Sequence, residues 1–351
     1  MVFGSSTRAR VPEELDALGR GRALVLSTPA QEDRASELSE LLGGRTAGVL
    51  SEAVPHTPLS TTERAVTFAE TVNADCVVAV GGGSAIGLGK AVALRTGLPQ
   101  LVLPTTYAGS EMTPILGETS EGHKTTRRLP EVRPSVVVYD VDLTLSLPPA
   151  VSAVSGLNAL AHAVEALYAR DRDPVTSLLA AAAISALGSA LPEVVRRPVD
   201  TRARAEALYG AWLAGLCLGT VGMALHHKIC HVLGGAFDLP HAETHAVVLP
   251  HVVAYNAPAA GQAAAAISRT LPGPDAATAL WGFADRLGAP RALRDLGMPE
   301  SGIDVAADLI ARQAYWNPRP VGAAAARRIL IRAWAGEPPR SDTGPQGDSD
   351  A

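Results

Sequence analysis

The sequence feature that most limits the fold is an apolar strand that runs directly into a glycine-rich turn. Residues 75–80 (DCVVAV) read as a fully buried strand, and a helix is expected from Ala85 to Thr96. The turn between them consists of Gly81, Gly82, Gly83 and Ser84. Without Cβ atoms, main-chain N–H groups at a helix start can approach a diphosphate. The turn therefore predicts an α/β fold with a dinucleotide site, although a purely structural turn is the alternative.

Further strands and helices alternate through the first part of the chain. Short apolar runs at 22–27, 48–50, 101–104 and 135–140 are typical of buried strands, and amphipathic helices are expected at 33–42 and 61–73. From about Pro148 the pattern becomes helical, with Ala/Leu-rich stretches at 151–169, 175–195, 201–220 and 275–295. We therefore predict an α/β nucleotide-binding domain over 1–148, an all-helical catalytic domain over 149–335, and a disordered tail over 336–351.

Composition excludes several classes of function. A chain of 351 residues is long enough for two domains. The net charge of -5 gives no general attraction for nucleic acid or anionic membranes, so neither is expected as a partner. The three scattered cysteines indicate a reducing, cytoplasmic setting. No apolar run is expected to be long enough to cross a membrane.

A second polar segment leaves the carboxyl end of a strand. Thr105 and Thr106 follow the run 101–104 and offer hydroxyl groups to a phosphate or a ribose. Because ligands of open α/β sheets bind at the carboxyl ends of the strands, these threonines are candidate cofactor residues together with the glycine turn.

The candidate reaction centre is a run rich in histidine. Five of the nine histidines occur between 226 and 245, and these are His226, His227, His231, His241 and His245. His227 and His231 are four residues apart and should project from one helix face, with Gly234 and Gly235 ending that helix. Imidazoles can move protons or bind metal near neutral pH. A hydrogen-bonded core network without catalytic duty is the alternative.

Four motifs in this order resemble the iron-containing alcohol dehydrogenase superfamily, and specifically its maleylacetate reductase branch. The motifs are GGGSxxGxGK, PTTYAGSEMTP, SGLNALAHAVEALYA and HHKICHVLGGAFDLPHAETHAVVLPH, and the resemblance extends from Val2 to Trp334. It implies a nucleotide-binding α/β domain followed by an all-helical domain. It also implies NAD(P)H-dependent reduction of maleylacetate to 3-oxoadipate in the breakdown of aromatic compounds.

The resemblance also places the superfamily's metal site. The four ligands would be Asn158, His162, His227 and His241, where metal-dependent members have Asp, His, His and His. An asparagine amide is neutral and a weak donor, so the anionic ligand is missing. The reductase branch is similar in having asparagine there and is regarded as metal-independent. We therefore expect no required metal, and Asn158 becomes a candidate substrate residue.

The expected chemistry agrees with loss of the metal. The carbon–carbon double bond of maleylacetate is polarised by its conjugated ketone, so hydrogen bonds to the developing enolate can replace a Lewis acid. The candidate catalytic residues are His162, His227, His231, His241 and Tyr107. A histidine is favoured as the donor of the proton to the α carbon, and the particular one is left open.

A dianionic substrate needs local positive charge in an acidic protein. The candidates are Lys124 and Arg127 of the loop 124–128, Lys228, and Arg319, because guanidinium and ammonium groups bind carboxylates well. A solvated surface run is the alternative for 124–128, including Arg128.

The sequence also bears on cofactor preference and on assembly. Ser27 occupies the place after the first strand where NAD-selective relatives carry an aspartate, so both NADH and NADPH are expected. The opening segment at Val2 resembles one that relatives pair across a two-fold axis, which predicts a homodimer. The rival functions are reduction of another unsaturated oxo-acid, a metal-dependent alcohol or aldehyde dehydrogenase, and a regulatory pseudoenzyme.

Overall fold

The structure is a computed structural model that describes residues 1–120, 123–312 and 315–340, with the side chains of His123 and Lys124 outside that description. The strands are β1 Val2–Gly4, β2 Ala23–Leu26, β3 Thr46–Leu50, β4 Cys76–Gly81, β5 Gln100–Pro104, β6 Ile115–Ser120, β7 His123–Arg128 and β8 Val136–Asp140. The first helices are α1 Val11–Ala17, α2 Glu32–Leu42, α3 Leu59–Thr71, α4 Gly83–Thr96, α5 Pro149–Ala166, α6 Pro174–Arg196 and α7 Thr201–Thr220. The remaining helices are α8 Leu225–Phe237, α9 His241–Asn256, α10 Gly261–Thr270, α11 Ala276–Arg286, α12 Gly302–Arg312 and α13 Ala323–Ala335.

The chain divides into two compact units. Among the described residues, one unit contains those of 1–148 and 197–219, and the other contains those of 149–196 and 220–340. The predicted α/β domain ends at the same residue, 148, as the first stretch of the first unit. The predicted helical domain differs in one segment, because the stretch that contains most of α7 packs with the first unit. There the guanidinium of Arg204 donates to the carbonyl of Leu147 at 2.8 Å, and the Trp212 ring lies 6.2 Å from the Tyr139 ring.

The first unit is built on a parallel sheet. Its six strands have the order β1-β8-β5-β4-β2-β3, and every neighbouring pair is parallel. Successive side chains of β4 alternate between two apolar clusters, since Val78 belongs to the cluster that contains Leu38 and Val77 to the one that contains Ile86. Helices therefore cover both faces, which explains why the strands read as continuous apolar runs.

A hairpin in the first unit differs from the sequence prediction. Residues 124–128 were expected in a loop, but they belong to β7, which pairs antiparallel with β6. The β-branched Thr125 and Thr126 favour an extended backbone, and charged neighbours hid that signal. The loop prediction is therefore wrong.

The second unit is helical, with α5 at its centre. Every side chain of α5 from Ser152 to Ala166 is buried. Helix α6 approaches it closely, since a Cβ on Gly156 would lie 2.3 Å from the Leu191 side chain. A second apolar cluster joins α8, α9, α12 and α13 and includes Ile229, Val248 and Leu330. The α/β fold followed by a helical fold is as predicted.

Two expectations for the helical region need correction. Helix α6 is 23 residues long and contains an 18-residue stretch with a mean hydropathy of 1.8, so by length and composition it could cross a membrane, contrary to the prediction. Core helices of soluble proteins share that property, and α6 packs against α5. The helix expected at 275–295 ends at Arg286, because Gly288 adopts φ 70° and breaks it. Residues 341–351 of the expected tail lie outside the described residues.

Candidate active site

The glycine turn lies at the carboxyl ends of two adjacent strands, β4 and β5. Gly81 has φ 151°, and a Cβ there would lie 2.8 Å from the Ala85 Cβ. A Cβ on Gly82 would lie 2.9 Å from the Thr106 Cγ2, so both positions require glycine. A Cβ on Gly83 would meet no protein atom within 4 Å. Helix α4 begins at Gly83, two residues earlier than predicted, so the turn and helix start form an open cradle for an anion.

Neighbouring hydroxyl groups hold this edge of the sheet together. The buried Thr105 accepts a hydrogen bond from Gln31 Nε2 at 3.0 Å, and its N–H donates to the Gly81 carbonyl at 3.1 Å. The hydroxyl of the buried Ser27 donates to Ser51 at 2.8 Å. Ser84 and Thr106 are partly exposed. The predicted roles of these residues in cofactor binding stay predictions.

Tyr107, a predicted catalytic residue, is fully buried within the first unit. Its hydroxyl lies 3.2 Å from an Arg204 guanidinium nitrogen, which donates to it. Burial raises the pKa of Tyr107, although the charge of Arg204 opposes that shift. These contacts place the phenol in a structural hydrogen bond with a buried cation, and its role in proton transfer stays a prediction.

One buried face of α5 carries three polar side chains. Asn158, His162 and Glu165 follow at helical intervals of four and three residues, and they are 4%, 3% and 0% exposed. Helices α8 and α9 of the same unit bring further histidines to this face.

Glu165 is a buried anion at the start of α8. Its carboxylate accepts from the backbone N–H groups of Ala224 and His226, each at 2.9 Å, and from His227 Nδ1 at 2.7 Å. Burial alone would raise the pKa of Glu165, but the hydrogen bond and charge of His227 and the backbone N–H groups outweigh it and lower the pKa to about 2. The helix start stabilises the negative charge in the same way.

A hydrogen-bonded relay extends from this carboxylate. His227 Nε2 lies 2.8 Å from His162 Nδ1. Because an ionised carboxylate can only accept, His227 Nδ1 must carry a proton, and neutral His227 then accepts from His162 Nδ1. Glu165, His227 and His162 can therefore hold and pass a proton along one line.

A second histidine pair lies deeper in the cluster. His226 Nε2 is 2.8 Å from His245 Nδ1, and the Cys230 sulfur is 3.8 Å from His226 Nε2. Burial lowers the pKa of His226 to about 3 and that of His245 well below its ordinary value. Burial also raises the pKa of the Cys230 thiol well above its ordinary value. These groups are neutral near pH 7, and Cys230 is no thiolate nucleophile.

The exposure of the histidine side chains increases from one end of the cluster to the other. His226 and His245 are fully buried, whereas His231 and His241 are exposed. The His231 ring lies 6.2 Å from His227, and the His241 ring lies 4.4 Å from His245. The cluster therefore presents exposed imidazoles at one end and buried imidazoles at the other. Helix α8 continues through Gly234 and Gly235 to Phe237, so the predicted stop there is wrong; Asp238 adopts φ 53° and ends it.

The donor set does not fit the divalent metal site of the superfamily. Three neutral imidazoles and the Asn158 amide provide no anionic ligand. Two imidazole nitrogens bound to a tetrahedral metal lie about 3.4 Å apart, given a metal–nitrogen distance of about 2.1 Å. His162 and His227 bring their nitrogens to 2.8 Å and bond each other directly. The buried oxygen of Asn158 has no hydrogen-bond partner in the described part of the chain.

The lysine and arginine residues that are predicted to bind the substrate have different neighbours in the structure. Arg127 pairs with Glu118 at 2.6 Å, and Arg128 donates to the Gly219 carbonyl. The Lys124 side chain lies outside the described residues. Arg319 stacks over the Tyr255 ring at 4.3 Å, and Lys228 is half-buried with its pKa lowered by burial. Contact of any of them with substrate stays a prediction.

Sequence reasoning did not identify Glu165. The signal was present, because Glu165 follows Asn158 and His162 at i+7 and i+3 and so shares their helix face. Its partner, the start of α8, is separated from it by about sixty positions of sequence, and no spacing rule connects the two.

Profiles of a single family match both parts of the chain. "Iron-containing alcohol dehydrogenase" matches residues 1–141, and "Fe-containing alcohol dehydrogenase family, C-terminal" matches residues 152–334. The fold and the histidine-bearing helices thus define an oxidoreductase scaffold, and the chain belongs to the iron-containing alcohol dehydrogenase family. The predicted family is confirmed.

Curated relatives narrow the assignment to a branch of that family. The chain is 54% identical to the maleylacetate reductase of Rhizobium sp. (strain MTP-10005), covering 97% of this chain and 96% of that one, and 52% identical to that of Sphingobium indicum with the same coverage. The crystal structure of the Rhizobium reductase superposes with a TM-score of 0.92 over 96% of each chain. A putative alcohol dehydrogenase from Ralstonia eutropha JMP134 is 51% identical, with a TM-score of 0.95 over 96% of each chain. The predicted resemblance to the reductase branch is confirmed.

Proposed function

We propose that the chain reduces the carbon–carbon double bond of maleylacetate with NADH or NADPH and so produces 3-oxoadipate during aromatic-compound degradation. The observation that carries this proposal is the Glu165-His227-His162 relay, a proton store within a scaffold that is 54% identical to a maleylacetate reductase. Reduction of an enone requires a hydride at the β carbon and a proton at the α carbon. The relay accounts for the proton.

Residues of the first unit would bind the cofactor. The N–H groups at Gly82, Gly83 and Ser84 begin α4 and suit a diphosphate, and the Thr106 side chain lies against Gly82. When bound, the nicotinamide supplies the hydride. Ser27 adds no negative charge that would repel a 2′-phosphate, which supports use of both cofactors.

The relay would hold the proton that completes the reduction. Glu165 stays ionised inside the protein, so its charge stabilises an extra proton on the paired imidazoles of His227 and His162. That proton would pass to the α carbon, and exposed His231 and His241 would stabilise the enolate oxygen by hydrogen bonds. Tyr107 remains the alternative donor.

We infer that no metal is required. A neutral donor set holds a divalent ion poorly, and both ring nitrogens of His227 are already bonded, Nε2 to His162 and Nδ1 to Glu165. The alternative is a metal-dependent alcohol or aldehyde dehydrogenase. It is favoured by the partnerless oxygen of Asn158, which an ion would satisfy.

Substrate selection would depend on cations and on the amide of Asn158. Lys228 follows His227 on α8, and with Arg319, Arg127 and Lys124 it is proposed to bind the two carboxylates. Reduction of a related unsaturated oxo-acid remains the second candidate within the branch.

Assembly and location are proposals as well. Strand β1 lies at the edge of the sheet and pairs with β8 on one side, which supports dimer formation through Val2–Gly4 of two copies. We propose a cytoplasmic homodimer, and light scattering at several protein concentrations would test the stoichiometry.

The decisive assay follows oxidation of NADH and NADPH with freshly generated maleylacetate, before and after chelator treatment. Turnover that survives chelation is expected. Activity that disappears with the chelator and returns with Fe²⁺ or Zn²⁺ would overturn metal independence. Absence of activity on maleylacetate in both conditions would overturn the substrate assignment.

A further inference from the structure

A buried tyrosine contacts the relay without belonging to it. Tyr168 lies two residues past the end of α5 and is 4% exposed. Its backbone N–H donates to the Glu165 carbonyl at 3.2 Å, and its hydroxyl donates to Glu165 Oε1 at the same distance. The chain therefore tightens into an i→i+3 turn after α5, and this turn brings the phenol back to the carboxylate.

The tyrosine supplies a contact that the other donors to Glu165 do not. In the described part of the chain, those donors are the backbone N–H groups of 224, 226 and 227 and the His227 ring. All of them lie at the start of α8, so they hold the carboxylate against that helix. Tyr168 instead follows α5, the helix that carries both Glu165 and His162. Its hydroxyl therefore holds the carboxylate relative to α5, which carries both ends of the relay.

The two oxygens of the Glu165 carboxylate have separate partners. Oε1 accepts from the Tyr168 hydroxyl and from the His226 N–H, the latter at 2.9 Å. Oε2 accepts from His227 Nδ1 at 2.7 Å and from the Ala224 N–H at 2.9 Å. Because the terminal torsion of a glutamate has only broad preferences of its own, hydrogen bonds set the orientation of the carboxylate. The Tyr168 bond to Oε1 thus helps to keep Oε2 directed at His227.

The tyrosine is held in turn by a buried asparagine. Asn256 Nδ2 donates to Asn317 Oδ1 at 3.0 Å, and Asn317 Nδ2 donates to Asn256 Oδ1 at 2.8 Å, so the two amides fix each other. Burial and the charge of Glu165 raise the pKa of Tyr168 well above its ordinary value, and a hydrogen bond from Asn256 opposes that rise only in part. The phenol therefore keeps its proton near pH 7 and acts toward Glu165 as a donor.

We propose that Tyr168 is a positioning residue that fixes the Glu165 carboxylate in line with His227 and so speeds transfer of the relay's proton. The inference rests on the proposed function, because the position of Glu165 affects turnover only if the relay supplies the proton to the α carbon. Tyr168 acts through Glu165 and gives up no proton in the reaction. If its hydroxyl only contributed to folding, its removal would lower stability and leave kcat unchanged.

The test compares Tyr168→Phe with Tyr139→Phe in the full-length protein. Each change removes the hydroxyl of a buried tyrosine that donates to a buried glutamate, Glu165 in one case and Glu111 in the other. Steady-state oxidation of NAD(P)H with maleylacetate gives kcat and KM, and thermal unfolding gives the melting temperature. We expect both variants to lose on the order of 2–4 °C of melting temperature. Only Tyr168→Phe should lose kcat, by about tenfold, with the KM for cofactor and substrate unchanged within about twofold.

A double variant shows whether Tyr168 acts through Glu165. Tyr168→Phe added to Glu165→Gln should change kcat by no more than about twofold, because residues that act as a unit are not additive. A further tenfold loss in the double variant would overturn the positioning role and leave the relay standing. Equal losses of kcat in both phenylalanine variants, or an unchanged kcat in Tyr168→Phe while Glu165→Gln is impaired, would do the same.

Failure of the proposed function gives a different result. An unchanged kcat in Glu165→Gln would overturn the relay, and the positioning role of Tyr168 with it. Absence of maleylacetate turnover by the unchanged protein would overturn the substrate assignment and any role of Tyr168 in that reaction.

Discussion

Among the described residues, each unit has one glutamate that is at most 1% exposed, and the pKa values of these two carboxyl groups are shifted in opposite directions. Glu111 of the first unit accepts from the Tyr139 hydroxyl at 2.9 Å, and its Oε2 has no partner in the described part of the chain. Burial therefore dominates and raises the pKa of Glu111. Glu165 of the second unit accepts from several N–H groups, and its pKa falls to about 2. Nearly equal burial thus accompanies a raised pKa in one place and a lowered pKa in the other.

The two pKa shifts differ because the two units supply different hydrogen-bond donors to their glutamates. A helix start points free N–H groups at Glu165, and His227 adds a donor that can itself become charged. Glu111 lies on the segment after β5 with a phenol for a partner. Glu111 therefore has fewer donors that stabilise its charge, whereas the Glu165 anion lies beside an imidazole and can help to hold a mobile proton. The comparison therefore predicts that the reaction needs Glu165 and does not need Glu111.

The largest expected effect is on turnover when the anion is removed. Glu165→Gln keeps the size of the side chain but cannot stabilise a protonated His227, and we expect kcat to fall by about 10²- to 10³-fold. The measurement is steady-state NAD(P)H oxidation with maleylacetate. Glu111→Gln is the matched control, because that buried side chain bonds Tyr139 and lies outside the histidine cluster, and its kcat should stay within about twofold. Comparable losses of kcat in both variants would contradict a special role for Glu165.

The next effect concerns metal affinity. Asn158→Asp restores an anionic ligand beside His162, His227 and His241, and we expect zinc to bind about 100-fold more tightly than in the unchanged protein. Equilibrium dialysis followed by metal analysis would measure this. Asn256→Asp, a change of the same kind on α9 outside that set, should leave zinc binding unchanged. Tight, stoichiometric zinc in the unchanged protein would contradict the proposed loss of the metal.

Stability should respond to acid with opposite signs at the two glutamates. The folded pKa of Glu165 is below its ordinary value of 4.5, so its stabilisation is complete above pH 4.5 and is lost as pH falls toward about 2. The folded pKa of Glu111 is raised, so its ionisation costs stability at high pH, and that cost disappears as pH falls to 4.5.

Urea unfolding of the unchanged protein and the two glutamine variants between pH 3 and 7 would measure both contributions. The difference between the unchanged protein and Glu165→Gln should shrink by about 2–3 kcal/mol toward low pH, at roughly 1.4 kcal/mol for each pKa unit. The difference in unfolding free energy between the unchanged protein and Glu111→Gln should change in the opposite direction. Parallel changes would show that burial alone, rather than the donors, sets both values.

How far the sequence predicts these features depends on the range of each interaction. The strand 75–80 and its glycine turn were predictable because buried parallel strands and helix starts leave local signals. The hairpin at 124–128 was missed because charged side chains masked its β-branched residues. Glu165 was missed because its donors come from the start of α8, and only folding brings α5 and α8 together. Likewise, no local pattern indicates that α7 packs with the first unit.

The smallest expected effect concerns the glycine turn of the first unit, where a Cβ has open space at Gly83 but not at Gly81 or Gly82. Gly83→Ala adds a Cβ that meets no protein atom within 4 Å, so folding should be unaffected. A diphosphate at the start of α4 would meet that methyl group, and we expect the KM for NAD(P)H to rise about tenfold, which is roughly 1.4 kcal/mol of binding. Gly21→Ala, where a Cβ also has open space, is the matched control and should change neither KM nor the melting temperature. An unchanged KM in Gly83→Ala would place the diphosphate elsewhere, because a ligand on those N–H groups cannot avoid the added carbon.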